Sequence, residues 1–164
     1  MLVETTRFGK IKIDESKIIF FTSPILGFPN AKRYVLIPHR ENSPFFWLQA
    51  IDIPELAFVV IDPSVFFPDY KPKIPPEACK ELHLETNDEV CYLAIVTIPK
   101  EDPGNLTANL LGPIVINVER RLAKQVVLDP KIYPLKEPLK PYFQKVSQQA
   151  SEKVKIHLEH SAGR

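Results

Sequence analysis

Two aspartates beside an aromatic stretch have residue types that could serve as a general acid and a general base. Asp62 and Asp69 lie seven positions apart in the proline-rich sequence DPSVFFPDYKPKIPP, residues 62–76. A pair of carboxylates can exchange protons with a substrate when both reach it. Carboxylates near prolines more commonly accept backbone N–H bonds in turns. We therefore expect turn formation rather than a hydrolase-like enzyme, and the sequence contains no nucleophile elbow, P-loop or HExxH motif that would favour catalysis.

Three further residues could supply soft metal ligands. Cys79 and His83 are four positions apart, so they would share one face of a helix, and Cys91 follows. Zinc sites with cysteine ligands normally contain more closely spaced cysteine pairs. The sequence therefore favours two core cysteines and a surface histidine, with no metal and no cofactor.

The aromatic stretch between the two aspartates is the stronger candidate for a binding function. Phe66, Phe67 and Tyr70 alternate there with prolines, which restrict the backbone and lower the entropy cost of covering the rings with a partner. The alternative is that the rings cap one end of the hydrophobic core. A second aromatic group, Phe45-Phe46-Trp47, must place Phe46 and Trp47 on opposite faces of a strand, so one of them faces a partner or a covering helix.

The composition limits which elements can position these residues. The 164 residues include 17 prolines but 5 glycines, which argues against a helical bundle and against glycine-rich phosphate loops. Short apolar and β-branched runs separated by turn residues predict strands at 7–13, 17–21, 33–37, 45–51, 57–61, 90–98, 106–111, 114–118 and 124–128. We expect a mostly β fold, a small antiparallel barrel or sandwich. The continuous apolar run 90–98 predicts a strand buried on both faces.

Helices are expected at two places. Pro75-Pro76-Glu77 opens a short internal helix that ends near Leu82 or Leu84. After Pro141 the apolar residues form one helical stripe: Phe143, Val146, Ala150, Val154 and Leu158. We therefore divide the chain into a β domain, 1–129, and a proline-rich linker with a C-terminal amphipathic helix, 130–164. A chain ending at Asp129 is expected to fold, and the helix is expected to dock on the barrel or on a partner.

Charge is unevenly distributed along the chain. Residues 77–102 contain seven acids and two lysines, whereas residues 118–164 contain ten bases and five acids. The overall net charge is only +1, so it does not predict a nucleic-acid partner. The basic end could be a direct RNA-binding surface or a solvated helix face, and the absence of interleaved aromatic residues favours the second.

Several sequence blocks, taken in order, resemble the flagellar assembly factor FliW family. The blocks are WLQAID, FVVIDP, FFPDY, LAIVTIP and TANLLGPIVIN, and the similarity runs from Glu4 to Asp129, about three quarters of the chain. The remaining residues extend beyond the point where members of this family usually end.

The resemblance implies a small β-barrel protein that is not an enzyme. It implies binding to the translational repressor CsrA, relief of CsrA repression of flagellin messenger RNA, and binding to flagellin, with the two partners exchanging. We also expect a protein that is monomeric when free, with no cofactor and no direct nucleic-acid contact. The N-terminus MLVETTRFGK has no apolar signal-peptide region and no apolar run approaches 18 residues, so the sequence itself predicts a cytoplasmic location and no membrane span. The acidic segment 77–102 fits a basic, RNA-binding partner through complementary charge.

The family motifs nominate seven polar or aromatic residues as partner-binding candidates: Asp62, Phe67, Asp69, Tyr70, Thr107, Asn109 and Asn117. For Thr107, Asn109 and Asn117 a structural role is equally expected, since such side chains often satisfy backbone groups in turns and at strand ends.

Overall fold

The computed structural model describes residues 1–145, which form eleven β-strands and two short α-helices. The strands are β1 Leu2–Thr5, β2 Gly9–Lys12, β3 Ile19–Phe21, β4 Arg33–Pro38, β5 Phe45–Ala50, β6 Ala57–Ile61, β7 Val90–Thr97, β8 Thr107–Ala108, β9 Ile114–Asn117, β10 Leu122–Gln125 and β11 Glu137–Pro138. The helices are α1 Pro63–Phe66 and α2 Pro76–Glu81, and 3-10 helices span Glu15–Lys17 and Lys140–Lys145.

Seven of the strands in this described region close into a barrel, which confirms the mostly β fold. The order around the barrel is β3-β4-β5-β6-β7-β9-β10, and β10 returns to pair with β3. All of these pairings are antiparallel except β10 with β3, which is parallel, with Leu122 opposite Phe20.

The seam between β3 and β10 is reinforced by an arginine side chain. Arg121 adopts a positive φ of 57° at the turn before β10, and its guanidinium donates to the carbonyl oxygens of Lys17 and Ile18. Backbone bonds from Phe20 N–H to Arg121 O and from Thr22 N–H to Ala123 O, both 2.9 Å, complete the seam. Burial lowers the pKa of the guanidinium, and its hydrogen bonds to carbonyl oxygens offset the cost of removing it from water.

Strand alternation divides the apolar residues between the barrel interior and three outer clusters. Phe46, Leu48 and Ala50 of β5 point inward, as do Cys91 and Leu93 of β7. The β1–β2 hairpin covers one part of the outer wall, α2 covers a second, and α1 with the chain after residue 129 covers a third. The barrel is therefore wrapped by short elements that depend on it for their order.

Strand β7 is buried on both faces from Val90 to Val96, as its apolar sequence predicts, whereas Thr97 and Ile98 at the end of the predicted run are exposed. Leu93 packs inside the barrel, Ala94 and Val96 pack under the outer cover, and no residue from Val90 to Val96 is exposed.

Alanine substitutions in β7 are expected to be costly. Ile95→Ala on the inner face and Val96→Ala on the outer face should each lower the free energy of unfolding by about 1–4 kcal/mol, through lost apolar burial and a residual cavity. Urea denaturation measures both variants, with Thr97→Ala at the exposed end of the strand as the control. If both substitutions lower the free energy of unfolding by less than about 0.5 kcal/mol, β7 does not contribute to the core through both of its faces.

The local predictions need correction at several places. The strand expected at 106–111 is only the two residues of β8, and the strand expected at 124–128 is β10, which begins and ends earlier. The strand expected at 7–13 is the shorter β2, which pairs in a hairpin with β1, a strand that the sequence pattern did not predict; the turn is held by Thr5 and closed by Gly9 at a φ of +69°. The run 17–21 begins as a 3-10 helix because Asp14 caps it by accepting the Ser16 N–H. The stretch 62–76, expected to be a loop, contains α1, so the described residues hold two α-helices rather than one.

The folded region continues past Asp129. Strand β11 pairs with β8, the Leu110 N–H donates to Pro134 O, and Leu139 is completely buried. A 3-10 helix occupies Lys140–Lys145, where the amphipathic helix is expected to begin. The rest of that prediction, including Val146, Ala150, Val154 and Leu158, lies outside the described residues.

Candidate binding surface

Tyr70 is a structural anchor of the aromatic stretch. Its hydroxyl donates a 2.8 Å hydrogen bond to Leu110 O, its ring meets the Tyr133 ring edge-on at 5.5 Å, and it is 8% exposed. Burial raises the pKa of the phenol, which keeps it protonated as a donor. Tyr70 is therefore buried by residues of its own chain, including Tyr133.

Phe67 is less enclosed. It ends α1, and its half-buried ring contacts the Tyr142 ring edge-on at 4.6 Å. The neighbouring Phe66 is fully buried. Of the three rings, Phe67 retains the accessible face that partner binding requires.

The two aspartates occupy different environments. Asp62 caps α1, because one carboxylate oxygen accepts both the backbone N–H and the hydroxyl of Ser64, at 2.9 and 2.7 Å. Asp69 is exposed at the turn that leads to Tyr70. Asp62 thus has the turn-forming role that the prolines predict, while Asp69 is open to solvent.

The two asparagines satisfy backbone groups. Asn109 Oδ1 accepts the N–H groups of Leu111 and Gly112, at 3.1 and 2.8 Å. Asn117 is completely buried, and its amide donates to Leu82 O at 2.9 Å, which ties the end of α2 to β9. Thr107 is half-buried in β8, opposite Pro138.

A surface that the sequence motifs do not indicate lies on the outside of β5 and β6. Phe46 points inward, so Trp47 points outward, as strand alternation requires. Trp47 lines a half-open pocket of about 200 Å³, which we call the Trp47 groove. Its walls include Phe45, Val59, Ile98 and Leu106, with His39 and Arg40 at the rim. The adjacent aromatic residues at 45–47 were the only sequence signal for it.

The indole at the floor of this groove is held in one orientation. The Arg7 guanidinium lies 4.0 Å from the centre of the ring, and the Phe8 ring meets it edge-on at 6.0 Å. Its Nε1–H donates to His39 Nδ1 at 3.2 Å. Trp47 therefore links the β1–β2 hairpin to the barrel and presents a fixed apolar surface beside two arginines.

The acidic segment does not form one surface. Strand β7 separates Glu89 from Glu101 by roughly 25 Å, since a strand rises about 3.3 Å per residue. Glu81 is held by Lys124 at 3.0 Å and by the Thr22 hydroxyl, and these hydrogen bonds lower the pKa of its carboxyl.

At one end of β7, three acidic residues line a polar depression beside Asn117. We call Glu85, Asp88 and Glu119 the acidic surface. Arg120 also lines this depression, so the site carries mixed charge with an excess of carboxylates.

The metal site considered from sequence has no structural support in residues 1–145. Cys91 faces the barrel interior while Cys79 lies on α2, and no cluster of three or more potential ligands occurs in this region. No helix in the same region has the length and hydrophobicity to cross a bilayer.

Comparison with known proteins identifies a family. The FliW protein family matches residues 2–139. The chain is similar to the flagellar assembly factor FliW of Geobacter sulfurreducens, 46% identical over 84% of this chain and 86% of the relative, and to that of Magnetococcus marinus, 41% identical over 86% of each.

Two further matches extend the comparison to a solved structure and to nearly the whole length of the chain. The chain resembles a crystal structure of the flagellar assembly factor FliW with a TM-score of 0.76 and 36% identity, over 85% of this chain and 96% of the other. The FliW of Bdellovibrio bacteriovorus is 33% identical over 99% of this chain and 90% of its own length. The residues after 139 therefore have a counterpart in at least one relative.

Proposed function

The chain belongs to the FliW family, and we propose that it acts in flagellar assembly by binding CsrA and flagellin. The match of residues 2–139, at identities of 41–46% to named flagellar assembly factors, carries this proposal. Its relatives are named as flagellar assembly factors rather than as enzymes, which supports a role as a regulatory binding protein.

In this proposal the two partners exchange on one regulator in the cytoplasm. When bound to CsrA, the protein relieves repression of flagellin synthesis; when flagellin accumulates, it takes the protein away from CsrA. The free protein is monomeric and uses no cofactor. It acts on messenger RNA only through CsrA.

The acidic surface is our candidate for CsrA contact. CsrA binds RNA, so its functional surface must attract phosphates and would also attract a carboxylate-lined site. Glu85, Asp88 and Glu119 provide such a site, and Glu85 is exposed. Complementary charge of this kind mainly increases the rate of association and fixes orientation.

The motif residues divide into two roles in this proposal. Asp69 and Phe67 are accessible enough to touch a partner, as is Thr107 in part. The other four, Asp62, Tyr70, Asn109 and Asn117, each make hydrogen bonds within the chain, so in this proposal they shape the surface rather than touch the partner.

Isothermal calorimetry with purified CsrA and purified flagellin tests the function. We expect each to bind with a Kd below about 10 μM, roughly −7 kcal/mol. Glu85→Lys should weaken CsrA binding about tenfold at low salt and less at high salt. The matched control is Glu55→Lys, which makes the same charge change at an exposed position in the β5–β6 connection and should leave affinity unchanged.

The possible outcomes distinguish an error in the proposed function from an error in the assignment of the acidic surface as the CsrA contact. If neither partner binds the folded protein, the proposed function is wrong. If both bind but Glu85→Lys and Glu55→Lys behave alike, only the assignment of the acidic surface is lost. Steep salt-dependent binding of RNA by the protein alone would instead indicate a direct RNA-binding domain.

A further inference from the structure

The Trp47 groove is an apolar site that the proposed function does not use. Ile98 on its wall is 45% exposed, and Phe45, Trp47 and Val59 are each half-buried. Its volume of about 200 Å³ is below the range of about 300–1,000 Å³ that small-molecule sites occupy. The groove therefore suits one or two bulky apolar side chains of a protein segment better than a typical small-molecule ligand.

The floor of the groove is already fixed in the free protein. Arg7 lies over the indole ring of Trp47, Phe8 meets its edge, and His39 accepts the hydrogen bond from its nitrogen. A side chain that is held in its bound orientation loses little conformational entropy when a partner covers it. Tryptophan and arginine are also the residue types that most often carry the binding energy of protein interfaces. These properties indicate a docking site for a partner protein.

The charged side chains at the groove are cationic. Arg40 lies at the rim, and Arg7 is stacked on the indole. Within residues 1–145, neither guanidinium forms an ion pair or a side-chain hydrogen bond, and no aspartate or glutamate is among the described residues that line the groove. Guanidinium groups bind carboxylates through pairs of N–H donors. Two of them beside an apolar floor therefore favour an apolar segment that also carries acidic residues.

We propose that the Trp47 groove binds a segment of a partner protein that presents one or two bulky apolar side chains next to aspartate or glutamate. The apolar side chains pack on Trp47 and Ile98, and the carboxylates accept hydrogen bonds from Arg7 and Arg40. The groove and the acidic surface lie at opposite ends of β7, a strand roughly 25 Å long at about 3.3 Å per residue. The two surfaces therefore select partners of opposite charge, and a segment in the groove leaves the acidic surface open.

Selection from a library of random heptapeptides displayed on phage tests the proposal with the full-length protein. Peptides are selected on the wild type and, in parallel, on Ile98→Glu, which places a carboxylate on the groove wall at a position that is already partly exposed. We expect the peptides that are enriched only on the wild type to combine bulky apolar residues with aspartate or glutamate. Enrichment of neutral or basic peptides there, or identical enrichment on both proteins, would overturn the proposal.

Titration with a synthetic copy of an enriched peptide measures the contribution of charge. Trp47 is the only tryptophan in the chain, so its emission reports binding in the groove when the peptide contains none. Arg40→Glu should raise the Kd about tenfold at 0.15 M salt, where charges interact over about 8 Å. Arg120→Glu makes the same change beside the acidic surface and should leave the Kd unchanged. Equal effects of the two substitutions would overturn the proposal. The measurement uses neither CsrA nor flagellin, so its outcome is independent of the proposed function.

Discussion

Shortening the chain to residues 1–129 is expected to lower the free energy of unfolding by about 4–8 kcal/mol, which is most of the stability of a typical domain. Although the seven barrel strands end at Gln125, the truncation removes Leu139, which is completely buried, and Tyr133, which packs on Tyr70. It also removes β11, the partner of β8. The outer cluster around Ala94 and Val96 would then face water.

Chemical denaturation of two truncated chains checks this boundary. A chain that ends after Lys145 retains every described contact and should keep the stability that the 1–129 chain loses. Leu139→Ala in the full chain should by itself cost about 2–5 kcal/mol. Equal denaturation midpoints for the 1–129 and 1–145 chains would show that the segment after Asp129 adds nothing to the fold, as the sequence-based division at that residue assumes.

Tyr70→Ala is expected to lower the free energy of unfolding by about 3–5 kcal/mol, as is usual when a buried aromatic ring is removed. Tyr70→Phe keeps the ring but leaves Leu110 O without its donor, which should cost about 1–3 kcal/mol. Asp69→Ala, at the exposed neighbouring position, should change stability by no more than about 0.5 kcal/mol. Thermal and urea denaturation distinguish these three results.

Partner affinity measured on the same proteins separates the structural and binding roles of the aromatic stretch. Asp69→Ala and Phe67→Ala should weaken binding to CsrA or flagellin while remaining folded, whereas Tyr70→Phe should leave the affinity of the folded fraction unchanged. If Asp69→Ala and Phe67→Ala both bind each partner normally, this stretch is a cover for the core and not a contact surface.

The strands were predictable where burial imposes a local pattern. The runs 45–51, 57–61 and 90–98 are apolar over lengths that suit strands, and the structure has β5, β6 and β7 there. Closure of the barrel was not predictable, because the pairing of β3 with β10 joins residues about a hundred positions apart. The residues next to β3 or β10 in the sequence carry no pattern that specifies how these two strands align.

The burial of the nominated residues was not predictable from the sequence. Asn117 and Asp69 are both polar residues in family-like blocks, yet Asn117 is buried beneath α2 and Asp69 is exposed. Burial is decided by the tertiary arrangement, which residue spacing does not reveal. Likewise, the acids of residues 77–102 are contiguous in sequence, but the length of β7 divides them between two ends of the barrel.

The β3–β10 seam has a consequence for how the protein folds. Thr22 and Ala123, which meet there, are separated by 101 residues, and closing a loop of that length costs about 4 kcal/mol of chain entropy before its contacts form. Folding is therefore expected to take milliseconds to seconds, as for other proteins dominated by non-local strand pairing. Until the Arg121 side chain bonds to Lys17 and Ile18, β3 has no partner on the side where β10 pairs with it. A strand of another unfolded chain can then pair with this open edge. Aggregation during refolding should therefore begin at this seam.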